Sequence, residues 1–500
     1  MQSRVSRRRF LGSAVAAGAF TAIPRHVLGG TGSVAPSGKI TLAHIGMGTQ
    51  GFRELGGLLA DPQVQIVAVC DPNTDSNDYV DWSRTGIRDC IRRYLGDPTW
   101  RENDGGCPGG REVGRQVVDT YYARQRKAES FNACAAYADF RELLEKEKDL
   151  DAVKIMTPDH LHAAISIAAM KKGKHVATHK PLANRLHEGR QVVGTARQTK
   201  VATHLLAYGA GSGNAQIVER IKEGVIGPLR EVHNWTNRPV WPQYTEIPTD
   251  RPPVPKGFDW DLWLGPALDR PYHPHYTHTV FRGWYEFGGG SMADMGIYSL
   301  WPVFTGLGLG VPVSADAWAT HTCSIVDHVS RRAKNDVAYP TACTIRLTFA
   351  ARANSPALEL FWYDGGMKPR LPREIEAHDV KMQDEGILFI GDEGAIIARF
   401  NGADPLLFAK GKKGPLPAPA GGAGGGAGRP RSSWLEACRG GEPSPGSFPN
   451  AAAITDAVNL GTVALRAGGK VVFDSEAMRI TNLAGANKYL YREYRKGWEL

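Results

Sequence analysis

Cysteine is scarce and badly placed for metal. The seven cysteines, at 70, 90, 107, 134, 323, 343 and 438, include no pair at C-x-x-C or similar ligand spacing, which removes the usual thiolate zinc sites. Separate thiols are the expectation, although the export signal described below leaves a disulfide open. Long apolar runs are also missing: past the first thirty-five residues no stretch has the length and apolarity of a membrane helix. Excess charge is missing from the body of the chain. The formal net charge is +9, but Arg4, Arg7, Arg8, Arg9 and Arg25 sit in an amino-terminal stretch without acids, which leaves only +4 for the rest. No nucleic-acid partner is implied. There is no internal repeat.

What is present begins with an address. Ser6-Arg7-Arg8-Arg9-Phe10-Leu11 is a twin-arginine pattern, and Gly12 to Ile23 is an apolar stretch rich in Ala and Gly, too short for a stable anchor. Residues 1–35 therefore read as a twin-arginine signal peptide, the alternative being a basic tail. The expected partner is the twin-arginine translocation machinery and the expected location the periplasm. Proteins on that route fold before crossing, so any cofactor carried out has to stay bound.

The stretch Ile40 to Asp71 organises the rest. An apolar run to Ile45 is followed by Gly46, Gly48 and Gly51 at G-x-G-x-x-G spacing, a helical pattern Phe52 to Leu59, and a second apolar run, Val64 to Cys70, that ends in Asp71. Glycine serves the tight turn at 46, the approach of a pyrophosphate to bare backbone at 48, and helix-to-strand packing at 51. The helix amino terminus offers free N–H groups to the anion. Asp71 suits the ribose hydroxyls of NAD and repels the 2′-phosphate of NADP. Met47 lies in the turn and is placed at the cofactor with it. A plain glycine turn is the alternative, and both flanking strands and the acid argue against it.

At 500 residues the chain exceeds one core, so two domains are expected. Strands and helices alternate to about residue 208, with a polar insertion over 72–130, and predict a parallel sheet covered on both faces. From 209 to 500 strand follows strand, at Leu229 to Thr236, Ser314 to Thr322, Thr341 to Phe349, Ala357 to Tyr363 and Ala395 to Phe400, as in an α+β domain with a mainly antiparallel open sheet. The fold class is thus α/β, a Rossmann dinucleotide-binding domain plus this second domain. Gly411 to Pro430 cannot bury a core and reads as a flexible loop.

Several motifs then fall together: the glycine turn, Thr157-Pro158-Asp159-His160-Leu161-His162, Lys180-Pro181, Phe258 to Pro266, and Gly288-Gly289-Gly290 with Asp294-Met295-Gly296. In combination they resemble the glucose-fructose oxidoreductase and inositol dehydrogenase (Gfo/Idh/MocA) family over residues 38 to 500, insertion aside. The resemblance implies a two-domain, NAD(P)-dependent oxidoreductase acting on a sugar or polyol, with Lys180 beside the nicotinamide and the reacting hydroxyl. It also places Thr157, Pro158 and His162 near the cofactor or substrate, although a helix-capping histidine is as good a reading of His162. A homo-oligomer is the expected assembly.

Two departures bear on the chemistry. The family's Glu-Lys-Pro is His179-Lys180-Pro181 here, and its Asp-x-Gly-x-His is Asp294-Met295-Gly296-Ile297-Tyr298. Pro181 biases Lys180 toward extended backbone at a strand's carboxyl end, and four-residue spacing puts Asp294 and Tyr298 on one helical face. Tyr298 either works as acid and base beside Lys180 or hydrogen-bonds a sugar, the second being preferred. Lys180, Asp294 and Tyr298 are the catalytic candidates. A loop carrying Tyr276, Arg282 and Trp284 is expected to line the substrate. His273, His275 and His278 lack a carboxylate or Cys at ligand spacing, so no metal is assigned.

The expected function is an exported oxidoreductase that keeps its NAD and returns the hydride, to a second substrate or to the same one. In the latter case transient oxidation acidifies a neighbouring C–H and lets a glycosidic bond be eliminated, giving a redox-assisted glycosidase or lyase. From another class, a sugar-binding or sensory protein with a vestigial NAD site is opposed by the intact glycine turn, Lys180 and Asp294.

Overall fold

The computed structural model describes residues 38–126, 132–207, 213–352, 355–418 and 430–500. The twin-arginine pattern lies outside them. The first sheet has six strands, β1 (Ile40–Ile45), β2 (Val64–Cys70), β3 (Ala135–Tyr137), β4 (Ala152–Ile155), β5 (His175–His179) and β6 (Thr203–Leu206), all parallel, in the order 3-2-1-4-5-6. Their runs of Val, Ile, Leu and Ala are buried on both faces, as a parallel sheet between helices requires. Its helices are α1 (Thr49–Leu59), α2 (Gly86–Leu95), α3 (Arg111–Arg126), α4 (Phe140–Lys146), α5 (His162–Lys171) and α6 (Leu186–Thr199). On α1 the buried residues Phe52, Leu55, Leu58 and Leu59 recur at helical spacing and form the stripe that meets the sheet.

Register decides where chemistry can happen. Ile45 lies opposite both Cys70 and Ile155, and Ile155 opposite Thr178. The residues that follow, Gly46, Asp71, Met156 and His179, therefore leave the sheet at nearly one level. The strand order reverses between β1 and β4, and this switch point is where an open α/β sheet holds its ligand.

The second sheet is built from β7 (Leu229–Trp235), β8 (Ser314–Ala319), β11 (Cys343–Phe349), β12 (Leu358–Tyr363), β13 (Gly386–Gly391), β14 (Gly394–Arg399), β15 (Leu406–Ala409), β16 (Lys412–Pro415), β17 (Val471–Asp474) and β18 (Arg479–Ile480), in the order 16-15-14-13-7-12-11-8-17-18. Only β7 and β12 pair in parallel. A separate hairpin joins β9 (Cys323–Val326) to β10 (Val329–Arg332). Burial alternates along β11 and β12, so one face is covered and the other open. The cover is the twenty-residue helix Phe448–Ala467, which also packs on α6 and so joins the two halves. It starts with proline in its first turn and stops at Gly468, at φ 72°.

The loop expected over 411–430 needs correction at its start. Lys410 and Gly411 take positive φ of 53° and 68°, the pair of left-handed residues that closes a two-residue hairpin. Lys412–Pro415 accordingly pair with Leu406–Ala409 as an edge strand, and lysines on an edge are the usual guard against further pairing. Residues 419–429 lie outside the described residues. The expected insertion contributes α2, α3 and an irregular strap. That strap is tied to the second domain, with Thr74 N donating to Gly257 O at 2.8 Å and Asp259 N to Pro72 O at 3.1 Å. The seven cysteines are all free thiols.

Candidate active site

The glycine turn fits a dinucleotide on steric grounds. Gly46 has φ 100°, and a Cβ there would stand 2.6 Å from the backbone of Met156. A Cβ on Gly51 would meet Gly46 O at 2.3 Å, which holds α1 tight against the turn. Beyond the turn the carboxylate of Asp71 accepts Met47 N at 2.7 Å, Asn73 N at 2.8 Å and the Tyr79 hydroxyl at 3.3 Å. Burial raises its pKa while those donors oppose the rise. The Tyr79 ring lies over Gly48, 3.1 Å from where its Cβ would be, and packs at a tilt of 50° against His278 with centroids 4.3 Å apart. A cleft runs along this end of the sheet, lined among others by Gly46, Gly48, Asp71, Thr157, Pro158 and Arg282. A turn packed too closely on the end of β4 to admit a side chain at Gly46, with an acid at the end of β2, suits NAD. Neither the glycine turn nor the acid needed anything beyond sequence spacing to be found.

At the nicotinamide end the chain assembles a buried ionic cluster. Lys180 follows β5, and its Nζ donates to Asp294 Oδ1 at 2.5 Å. Arg282 Nη1 stands 3.6 Å from the same oxygen and 3.2 Å from Asp159 Oδ1. The other Asp159 oxygen accepts Gly289 N at 3.0 Å. Burial lowers Lys180 to about 8 despite Asp294. Burial works against ionisation of Asp294 too, but Lys180 and Arg282 together outweigh it and hold that carboxyl at about 2. Asp294 sits in a π-helical turn, Met292–Gly296, and Tyr298 in the α-helix that continues it, Ile297–Gly306, so both side chains reach Lys180. Its Nζ lies 4.5 Å above the Tyr298 ring.

His179 joins this group, with Nε2 3.2 Å from the Tyr298 hydroxyl. Burial, then the charges of Lys180 and Arg282, push His179 well below the ordinary histidine value. The ring is therefore neutral and fixes Tyr298 by a hydrogen bond. Sequence reasoning quoted His179 only as a departure and did not assign Asp159; the signal available was that both flank the Thr-Pro and Lys-Pro turns.

Other candidates separate. His162 is buried, its Nδ1 2.6 Å from Pro181 O and its Nε2 2.9 Å from Thr157 O. It therefore brackets the two strand-end turns against each other. Of the three expected substrate residues only Arg282 reaches the cleft. Tyr276 and Trp284 are buried in an aromatic cluster with Trp263 and Phe287, where Trp284 Nε1 donates to His275 O at 2.7 Å. The loop histidines also part company: His273 meets Asp250 at 3.2 Å, His275 stacks on Tyr244, and His278 packs at a tilt against Tyr79.

The family descriptions match in two pieces. "Oxidoreductase family, NAD-binding Rossmann fold" covers residues 108–206, and "Oxidoreductase family, C-terminal alpha/beta domain" covers 221–359. Both matched descriptions are of the Gfo/Idh/MocA oxidoreductase family. Among curated relatives, a levoglucosan dehydrogenase from Pseudarthrobacter phenanthrenivorans is 34% identical over 94 residues, 18% of this chain and 24% of that protein. A glycosyl hydrolase family 109 protein from Solibacter usitatus is 24% identical over 200 residues, 39% of this chain and 37% of that one. The chain thus spans about a quarter to just over a third of the length of these relatives. Among solved structures, the WlbA dehydrogenase from Chromobacterium violaceum, in complex with NADH and UDP-GlcNAcA, aligns with TM-score 0.52 at 15% identity, over 88% of this chain and 97% of that one, which shows the shared fold.

Proposed function

We propose that this chain is an exported oxidoreductase of the Gfo/Idh/MocA family that retains NAD and acts on a ring hydroxyl of a sugar or polyol. The observation that carries the reading is the buried Lys180, Asp294 and Arg282 cluster at the carboxyl end of β5, of which Arg282 lines the cleft that begins at the glycine turn. Bound at that turn, NAD supplies the hydride acceptor beside Lys180. Lys180, with its pKa near 8, takes the hydroxyl proton at Nζ and gives it back on return. Asp294 holds the ammonium form in place, Arg282 pairs with that carboxylate and its charge favours the free amine, and neutral His179 aims the Tyr298 hydroxyl at the sugar. Asp71 favours NAD over NADP by charge, and Tyr79 with its strap covers Gly48, which supports a cofactor that is slow to leave.

Within this reading, likeness to a glycosyl hydrolase family 109 protein favours the version in which the hydride returns to the same molecule after a glycosidic bond is broken. A glycoside deuterated at the oxidised ring carbon separates the versions. Intramolecular return keeps deuterium in the product, and a second acceptor carries it away. Free NADH accumulating with product would sink both and leave an ordinary dehydrogenase.

Export rests on Ser6 to Leu11 alone. Arg7→Lys combined with Arg8→Lys should hold the protein in the cytoplasm, read by fractionation. Undiminished export of that variant would remove the reason for expecting a retained cofactor.

A further inference from the structure

Tryptophan is costly to leave in water, yet Trp82 is 54% exposed at the mouth of the cleft that it helps to line. Its position is not loose. The preceding residue, Asp81, is buried and paired with Arg53 of α1. Before that, Val80 O accepts the Thr279 hydroxyl of the second domain at 3.4 Å. Arg238, also from the second domain, sets its guanidinium 5.2 Å over the indole, a distance at which cation and ring attract. The same Arg238 is close enough to Asp294 to help hold that carboxyl ionised. Val80 and Val240, on the same two segments, are exposed as well. The mouth therefore offers a fixed aromatic face, a guanidinium rich in donors and an apolar rim, one step out from Lys180.

We propose that Trp82 and Arg238 form a subsite for a second sugar ring, so that the substrate is a glycoside of at least two rings rather than a free monosaccharide. This rests on the sugar reading above and narrows its substrate class. An indole face takes the C–H face of a pyranose, for the same reason that flat apolar surfaces stack on aromatic rings. The guanidinium beside it offers donors in a fixed fork to hydroxyl oxygens. The ring at Lys180 is oxidised, and the ring at Trp82 supplies binding energy away from the reacting carbon.

The test compares wild type with Trp82→Ala and Trp82→Phe, all carrying cofactor, by titration calorimetry with a panel of disaccharides and their monosaccharide units. Trp82→Ala should weaken the preferred disaccharide about tenfold, which is about 1.4 kcal/mol and within the range of an aromatic stacking contribution. Its monosaccharide affinity should not change, and Trp82→Phe should restore most of the loss. Equal weakening of both ligands, or none of either, would overturn the subsite while monosaccharide turnover kept the functional reading intact. A wild type that binds no saccharide in the panel would overturn both.

Discussion

Lys180→Met is expected to lower turnover by about 10²–10³-fold, the loss found when one preorganised partner of a developing oxyanion is removed, about 2–4 kcal/mol. Methionine matches the length of the lysine stem and leaves Asp294 ionised beside Arg282, which stands 3.6 Å away, so cofactor content and the circular dichroism spectrum should not change. The pH profile makes the assignment specific. Burial brings Lys180 down to about 8, so its amine is mostly protonated below that value and mostly free above it. Transfer of the hydroxyl proton to Nζ needs the free amine, and reduction of the bound cofactor by sugar should therefore rise with pH through about 8 and then level. Lys180→Arg, which stays protonated throughout, should lose this limb. A limb that survives in Lys180→Arg would assign the titration to another group. Tyr298→Phe should cost less than Lys180→Met, because the ring under the ammonium is kept and only the hydroxyl held by His179 is lost.

The legible and illegible parts of this site differ in range. Gly46, Gly51 and Asp71 were readable because strand, turn, helix and strand follow one another within thirty-two residues, and each glycine answers a local steric demand. Lys180 was readable through the proline after it, and the Asp294 to Tyr298 spacing through helical period. What could not be read is which distant side chains share a cavity. Tyr276 looked like a substrate residue because it follows histidines and a proline in an irregular loop, and Trp284 because an indole can stack on a sugar, but their rings are large enough to form a small core of their own with Trp263 and Phe287. Trp82 gave no periodic signal in a polar insertion, and its exposure depends on the partner segment at Arg238. The strand Gly386–Gly391 was missed since four apolar residues in a row between glycines, the first three of them buried, carry no alternation. The edge strand after Gly411 was missed because composition outweighed the turn chemistry of Lys410 and Gly411.

The other large effect lies far from the chemistry in sequence and beside it in space. Arg492, near the carboxyl terminus, is 1% exposed in its side chain and donates to Glu188 at 2.7 Å, to Glu286 at 2.6 Å and to Asn184 at 2.6 Å. Glu188 and Asn184 follow the Lys180-Pro181 turn into α6. Glu286 precedes the three glycines that lead to Asp294. One guanidinium thus clamps together the two segments that carry the catalytic pair. Arg492→Met leaves Glu188 buried with only the Tyr494 hydroxyl at 3.2 Å, and an uncompensated buried charge costs about 3–5 kcal/mol. Glu286 shows the same dependence: burial resists its ionisation, but Arg492 and then Arg185 hold it at about 2. A depressed carboxyl contributes stability that is present above its unfolded value and lost as pH falls through its folded one. In Arg492→Met that contribution should shrink, so acid unfolding should begin at a higher pH. Denaturant midpoints measured at neutral pH should drop accordingly, and Glu188→Gln added to Arg492→Met should recover part of the loss, since an amide needs no counter-charge. A single variant within about 0.5 kcal/mol of wild type, the range of ordinary surface changes, would show that the clamp does not bear on stability. If stability falls as expected, the clamp predicts that turnover falls with it well below the unfolding transition, because Lys180 and Asp294 meet at 2.5 Å only while both segments are held.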